Sequence, residues 1–373
     1  MENHEIDIVI PVWNRPVETR NCLVNLLKHS PFARFILVDN GSDKETELIL
    51  QEFAEHLVHR ALLLRNDVNQ GYVRAVNRGL ARGEGAFVAV LRNTSLVSAG
   101  WLEPMVAFAT ARPDAGLLIP RLTADYTDGK RLERCAAAPI ETDHASLSAM
   151  LVSRPLYSTI GGLDEELDGG EWCLRDYSRR ALKSGFMTFC VDGGTVRYTE
   201  DAPLGSLVRR IETLERSIAK CRERWGKTGD FCILLPKEAD LSLLWGFLTV
   251  LLQGARYGHR FTVLLNPGLY KGLIKMGWRP VHENITLKPL PLLFASAAAR
   301  RALACCREYQ PSTVAVKATD GMEWPGVDNC IPFARLEQEV ADLGREKYGV
   351  PLLENGVLGS VMDMGGGVEL DGK

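Results

Sequence analysis

Along the first hundred residues, apolar β-branched runs recur and each is closed by a polar turn. Ile6 to Ile10 runs into Pro11-Val12-Trp13-Asn14-Arg15, and Phe35 to Val38 runs into Asp39-Asn40-Gly41-Ser42. A helical pattern lies between them. Strand, helix and strand ending in an acidic turn make a βαβ unit whose polar groups sit at the carboxyl ends of the strands, the edge where open parallel sheets bind ligands. Further strands are expected at 60–64, 86–91, 116–119 and 187–191, with helical patterns between several of them, which signals an α/β sheet. Leu207, Ile211, Leu214, Ile218, Cys221 and Trp225 then recur at helical spacing. They form one apolar stripe, expected to pack on its own domain, with a short coiled-coil dimer as the alternative.

Lys227-Thr228-Gly229-Asp230 reads as a linker, after which the alternation starts again. Strands are expected at 231–235, 261–265, 285–287 and 313–316, and helices at 239–256, 268–276, 293–308 and 335–348. The division is therefore a first α/β domain over 1–229, a small doubly wound, Rossmann-like domain over 230–350, and a flexible tail over 351–373. The second domain contains neither GxGxxG nor GxxxxGK[ST], so it shows no recognisable phosphate loop.

Bulk properties narrow the function only a little. A net charge of −3 over 373 residues gives no electrostatic reason for a nucleic-acid partner. Nine cysteines without a CxxC pair, behind an N-terminus lacking a secretory pattern, point to reduced thiols and a cytoplasmic location. The longest uncharged run, Leu241 to Ala255, is shorter than the roughly 20 apolar residues of a bilayer span. It reads as a buried helix.

The chemistry-bearing residues cluster in the first domain. Asp39 closes a strand with a carboxylate able to accept an N–H in a semi-enclosed cleft. The pattern Asn69-x-Gly71-x-x-x-Ala75-x-Asn77-x-Gly79 gives one helix face small residues for close packing on a sheet, and Gly100-Trp101-Leu102 forms a turn further on. Together with Pro11-Val12-Trp13-Asn14-Arg15 and Gly161-Gly162-Leu163-Asp164-Glu165, these segments resemble family 2 glycosyltransferases, which have the GT-A (nucleotide-diphospho-sugar transferase) fold. The resemblance implies a nucleotide-sugar donor held by Pro11, Val12, Asn14, Arg15, Asp39, Asn69, Gly71 and Asn77. It also implies an acceptor hydroxyl on a glycan, a lipid-linked glycan or a protein, with Trp101, Asp164 and Trp172 near the substrate.

The resemblance equally shows where this chain departs. The family's metal-binding Asp follows a strand in a segment like Leu-Asn-x-Asp; the matching segment is Leu91-Arg92-Asn93-Thr94-Ser95, with Thr94 at the acidic position. A Glu-Asp pair expected before Asp176 and Arg180 falls on Cys173-Leu174, and a late metal-binding His falls on Tyr198. Arg92, Asn93 and Thr94 are therefore expected at the diphosphate without a carboxylate-held metal, and Glu171 or Asp176 at the acceptor proton. No metal ligand is assigned; with a shifted alignment, Asp125, Asp128 or Asp164 would carry Mg or Mn. The reading is an inverting, metal-independent transferase. The alternative is an inactive binding or assembly module of the same fold, and a homodimer is left open.

Overall fold

The computed structural model describes residues 5–124, 139–168, 170–198, 207–276, 278–319, 321–324 and 326–349, with no side-chain description for 207–210. The chain forms two compact units. One holds the described residues up to Pro139 and from His144 to Glu223; the other holds Ile140–Asp143 and the described residues from Arg224 onward.

In the first unit the chain runs β1 (Ile6–Val12), α1 (Pro16–His29), β2 (Arg34–Asn40), α2 (Lys44–Leu57), β3 (Ala61–Asn66), α3 (Tyr72–Leu80), β4 (Phe87–Leu91), β5 (Ser95–Val97), α4 (Glu103–Ala111) and β6 (Ala115–Ala124). Strand β7 (Ile140–Glu141) belongs to the second unit. The first unit resumes with β8 (Ala149–Ser153), α5 (Arg154–Ile160), α6 (Trp172–Lys183), β9 (Met187–Tyr198) and α7 (Leu207–Trp225). Its strands lie in the order β3-β2-β1-β4-β8-β6-β9-β5. β1 pairs in parallel with β2 and β4, and β2 with β3, while β8 runs antiparallel to β4 and β6. The α/β sheet expected from the sequence forms, with antiparallel pairs at β8 beside the parallel βαβ strands.

The apolar runs are sheet centres. Ile8, Ile10, Phe35, Leu37, Ala89 and Leu91 join one buried cluster with Leu23 and Leu26 of α1, each large side chain contributing roughly 1.5–3 kcal/mol by burial. α3 packs close because its inner face is small: a Cβ on Gly79 would stand 2.2 Å from Val9 Cγ1. One charged residue breaks the apolar rule. Asp7, fully buried in β1, accepts from Arg34 Nε at 2.7 Å and from the Gly85 N–H at 2.8 Å. That carboxylate also holds the Arg34 guanidinium above its ordinary pKa. The α7 stripe is buried only toward its C-terminal end, at Cys221 and Trp225, whereas Ile211 and Leu214 are exposed.

The second unit runs β10 (Asp230–Leu234), α8 (Leu241–Arg256), β11 (Arg260–Leu265), α9 (Pro267–Lys275), β12 (Ile285–Pro289), α10 (Ala295–Tyr309), β13 (Val314–Lys317), β14 (Cys330–Pro332) and α11 (Phe333–Leu343). All pairings of its sheet, ordered β12-β11-β10-β13-β14, are parallel. The order reverses at β10, as in doubly wound sheets. Asp240 and Asn266 cap α8 and α9 by accepting from Leu243 N–H (2.9 Å) and Leu269 N–H (2.8 Å). Glu141 of β7 bridges to His282 and pairs with Arg256 through two 2.7 Å bonds, with both side chains nearly sealed from solvent. The uncharged run 241–255 is a buried helix as expected, and among the described residues no helix is long and apolar enough to cross a membrane.

Seven described cysteines are free, whereas Cys190 is disulfide-bonded. The expectation of reduced thiols throughout is corrected there: a cysteine count does not tell which thiols a fold brings together.

Candidate active site

The carboxyl edge of the first sheet gathers the residues singled out above. Strand register sets Val12 beside Asp39 and Asp39 beside Arg65. The β1 turn is left-handed at Asn14 (φ 56°) and Arg15 (φ 63°), a backbone state uncommon for non-glycine residues and enriched where a turn is functionally fixed. It is pinned from both sides. Asn14 N–H donates to Ser42 Oγ at 3.0 Å, and Asn14 Oδ1 accepts from Asp43 N–H at 2.8 Å.

Asp39 is 1% exposed; it accepts from Ser42 N–H at 2.9 Å and lies 3.8 Å from Arg65 Nε. Its neighbour Asn40 donates to Asn69 Oδ1 (2.9 Å) and the Gly71 carbonyl (3.1 Å), and accepts from Asn66 Nδ2 (2.7 Å). Asn69 and Gly71 are thereby fixed beside the β2 turn. Asn40, which no sequence pattern singled out, is the hub of that network.

The segment after β4 joins the same edge. Asn93 Nδ2 donates to Thr19 Oγ1 (2.9 Å) and to the Asn14 carbonyl (3.4 Å), linking it to the β1 turn. The Arg92 guanidinium stands 5.6 Å over the Tyr72 ring at the start of α3, and Tyr72 Oη donates to the Leu147 carbonyl at 3.0 Å. Thr94 is 6% exposed and its Oγ1 has no hydrogen-bond partner among the described residues, an expensive state for a buried hydroxyl. β5 pairs with β9 in the register Ser95↔Tyr198. The position next to Thr94 and the position of Tyr198 are thus strand neighbours, and together they offer a hydroxyl and a phenol where carboxylate and imidazole ligands would be needed. That donor set does not fit a divalent ion. Asp125 and Asp128 lie outside the described residues.

The loop preceding α6 is organised around α3. Asn77 accepts from Leu163 N–H (2.8 Å) and donates to Glu165 Oε1 (3.1 Å), so it holds that loop against α3. Asp164 caps the 165–167 turn through Glu166 N–H (3.0 Å) and pairs with Lys220 at 3.4 Å. Asp168, not singled out by sequence, accepts from the Val73 N–H at the start of α3, where the N-cap, Gly71, has no side chain. A Cβ on Gly71 would stand 2.4 Å from Asp168 Oδ2. The residue is exposed, yet crowding of its carboxyl by the surrounding chain lifts its pKa above the ordinary aspartate value, against the pull of Val73 N–H and Arg74. Its only sequence signal is the Asp-Gly-Gly turn at 168–170.

Glu171 sits at the N-cap of α6, exposed, its carbonyl accepting from Leu174 and Arg175 N–H (3.1 Å each) and its side chain making no capping bond. Trp172 is half-buried with Arg175 5.7 Å over its ring. Cys173 and Leu174, the aligned places of the Glu-Asp pair, are sealed in the core, and burial pushes the Cys173 thiol up to about 12. Asp176 is 0% exposed and receives Arg180 Nε at 2.8 Å, while the other guanidinium nitrogens donate to the Ile160 (2.9 Å) and Gly162 (2.7 Å) carbonyls. Trp101, expected at substrate, is 1% exposed and donates to Ser30 Oγ at 3.0 Å. Its indole packs in the core, an amphipathic ring with an internal partner for its N–H.

An open α/β sheet with a linked polar network at the carboxyl ends of its strands places these residues at the edge where such sheets bind ligands. More narrowly, the chain resembles family 2 glycosyltransferases: the sequence model described as Glycosyl transferase family 2 matches residues 7–141. Human polypeptide N-acetylgalactosaminyltransferase 13 is 28% identical over 96 residues, which is 26% of this chain and 17% of the human protein. The rat and mouse counterparts match equally. The chain thus covers under a fifth of the length of the curated relatives it matches. Among solved structures, GalNAc-T7 with UDP, GalNAc and Mn2+ aligns with a TM-score of 0.49 and 18% identity over 59% of this chain and 48% of that one. S. aureus TarS 1-349 aligns at 0.45 and 15% identity over 59% and 72% of the two chains.

Proposed function

We propose that the first unit binds a nucleotide sugar at the carboxyl edge of β1, β2 and β4 and transfers its sugar, with inversion, to an acceptor hydroxyl without a carboxylate-held metal. The observation that carries this reading is the pairing of a retained nucleotide turn with replaced metal positions. Asn14, Asp39, Asn69 and Asn93 remain one linked network, whereas Thr94 and Tyr198 flank the β5–β9 register with neutral hydroxyls. Asp39 accepts from the base. Arg92 lies on the diphosphate and neutralises the charge that grows there as the anomeric C–O bond breaks. The acceptor oxygen attacks the anomeric carbon from the opposite face, and its proton passes to the exposed carboxylate of Glu171.

A second reading has an observation in its favour. Cys173, Leu174 and Asp176 are all buried, so the segment aligned with the family's base presents no free carboxylate. A binding module without turnover would follow. One experiment separates the two: thermal-shift titration with nucleoside diphosphates and nucleotide sugars, each with and without Mn2+, followed by transfer assays. The transferase reading requires stabilisation by nucleotide that is indifferent to Mn2+, with Arg92→Ala and Glu171→Gln each lowering turnover by about 10²–10⁴-fold. It fails if no nucleotide stabilises the protein, or if Asp39→Ala leaves affinity unchanged.

A further inference from the structure

The second unit carries a surface feature that the transferase reading does not use. Between β12 and α10 the chain reads Pro289-Leu290-Pro291-Leu292-Leu293-Phe294. Leu290 is anchored, its N–H donating to the Leu265 carbonyl at 2.8 Å and its side chain packing on the core beside Trp324. The next large residues point outward: Leu292 is 86% exposed, Leu293 74% and Phe294 82%. Single exposed apolar residues are ordinary, but three in succession at a loop tip are not.

The backbone holds them there at a cost. Phe294 is left-handed (φ 60°, ψ 29°) and takes the N-cap position of α10 without a side-chain capping bond. An aromatic residue pays for that state with steric strain that no internal contact of its ring offsets. Pro289 and Pro291 restrict the approach on one side, and a fifteen-residue helix fixes the other. The tip is therefore a rigid presentation of apolar surface.

Charge selects what it meets. From Asn284 to Arg307 there is no aspartate or glutamate, while Lys288, Arg300, Arg301 and Arg307 all occur. Lys288 lies one residue before Pro289 on the exposed edge strand, and Arg300 and Arg301 lie within two turns of the tip on α10, all three exposed. An apolar wedge flanked by cations, with no acid in the segment 284–307, matches the two layers of an anionic bilayer surface, acyl chains beneath phosphate headgroups. A protein partner would require complementary contour; a bilayer requires only this ordering of apolar tip and basic flank.

We infer that the 290–294 loop inserts into the interface of an anionic phospholipid membrane, with Lys288 and Arg301 on the headgroups. The inference stands independently of the transferase reading. The test is co-sedimentation of the full chain with vesicles of equimolar phosphatidylglycerol and phosphatidylcholine, beside vesicles of phosphatidylcholine alone. The wild-type chain is expected to bind the anionic vesicles and not the neutral ones, with binding falling as salt rises. Leu292→Ser with Leu293→Ser should weaken binding by at least about tenfold, and Lys288→Glu with Arg301→Glu by about fivefold for each cation lost. Phe294→Gly, which keeps the left-handed backbone and removes only the ring, should weaken binding without lowering the melting temperature. Absence of binding by the wild-type chain would overturn the inference. Unchanged binding in the serine pair would do the same. So would a wild-type dimer that the serine pair converts to monomer by light scattering, since the loop would then cover a second copy.

Discussion

Replacing Asp176 by alanine distinguishes a carboxylate that holds the fold from one that moves a proton. The side chain is fully buried and its partner Arg180 retains 23% of its side-chain exposure. Stranding a buried charge costs about 3–5 kcal/mol, and this exposure places the case at the lower end, about 3 kcal/mol. Arg180 would also lose the alignment that lets it reach the Ile160 and Gly162 carbonyls, so the turn before Leu163 loosens with it. In a unit of roughly 200 residues each kcal/mol moves the melting temperature by about 2–4 °C, giving a fall of about 6–12 °C. Arg180→Ala should cost as much, because it removes the guanidinium that balances the buried carboxylate. The double variant should be less destabilised than the sum by about 1–3 kcal/mol. Urea denaturation of the four proteins measures all of this. A chain in which Asp176→Asn melts within about 1 °C of wild type yet transfers no sugar would refute the structural assignment and make Asp176 the base.

Three further outcomes follow from the geometry. Gly71→Ala, at φ 95° with Asp168 Oδ2 in the way, should destabilise by about 1–3 kcal/mol in denaturant titration, and Asp168→Ala in the same chain should restore part of the loss. Burial lowers the pKa of His282 in spite of nearby Glu141, Asp143 and Glu283. The unfolded chain therefore binds the proton more readily, and stability conferred by the neutral ring is lost as pH falls below about 6.5; melting curves of the second unit should show this drop, and His282→Gln should flatten it. Thr94→Asp with Tyr198→His places an anion and an imidazole at the β5–β9 register, and should raise Mn2+ affinity above that of the wild-type chain in calorimetry.

The strands were legible because continuous apolar runs closed by polar turns have few other uses. Residues 6–10, 35–38 and 116–119 all fall inside observed strands. β5 and β14 escaped because three residues carry no periodicity, and β8 because Ala149-Met150-Leu151 follows a Ser-rich segment. The polar turns at the carboxyl edge could be read from local order, since they lie at consecutive strand ends. Asp7 could not: an acid inside an apolar strand makes sense only once Arg34 is known to lie beside it. The same holds for Asn40 and Asp168, whose partners are distant in sequence, and for Trp101, whose burial depends on α1.

The four residues Ile140–Asp143 have an implication for how this chain can be cut or recombined. They lie in sequence within the first unit but fold as part of the second, where Glu141 supplies the acid for Arg256 and the strand neighbour for His282. A gene fragment starting at Arg224 would encode every helix of the second unit and still lack that acid, removing the two-bonded carboxylate from a nearly buried guanidinium. The second unit is consequently discontinuous in sequence, and a graft or truncation at the apparent junction severs a stitch made earlier in translation.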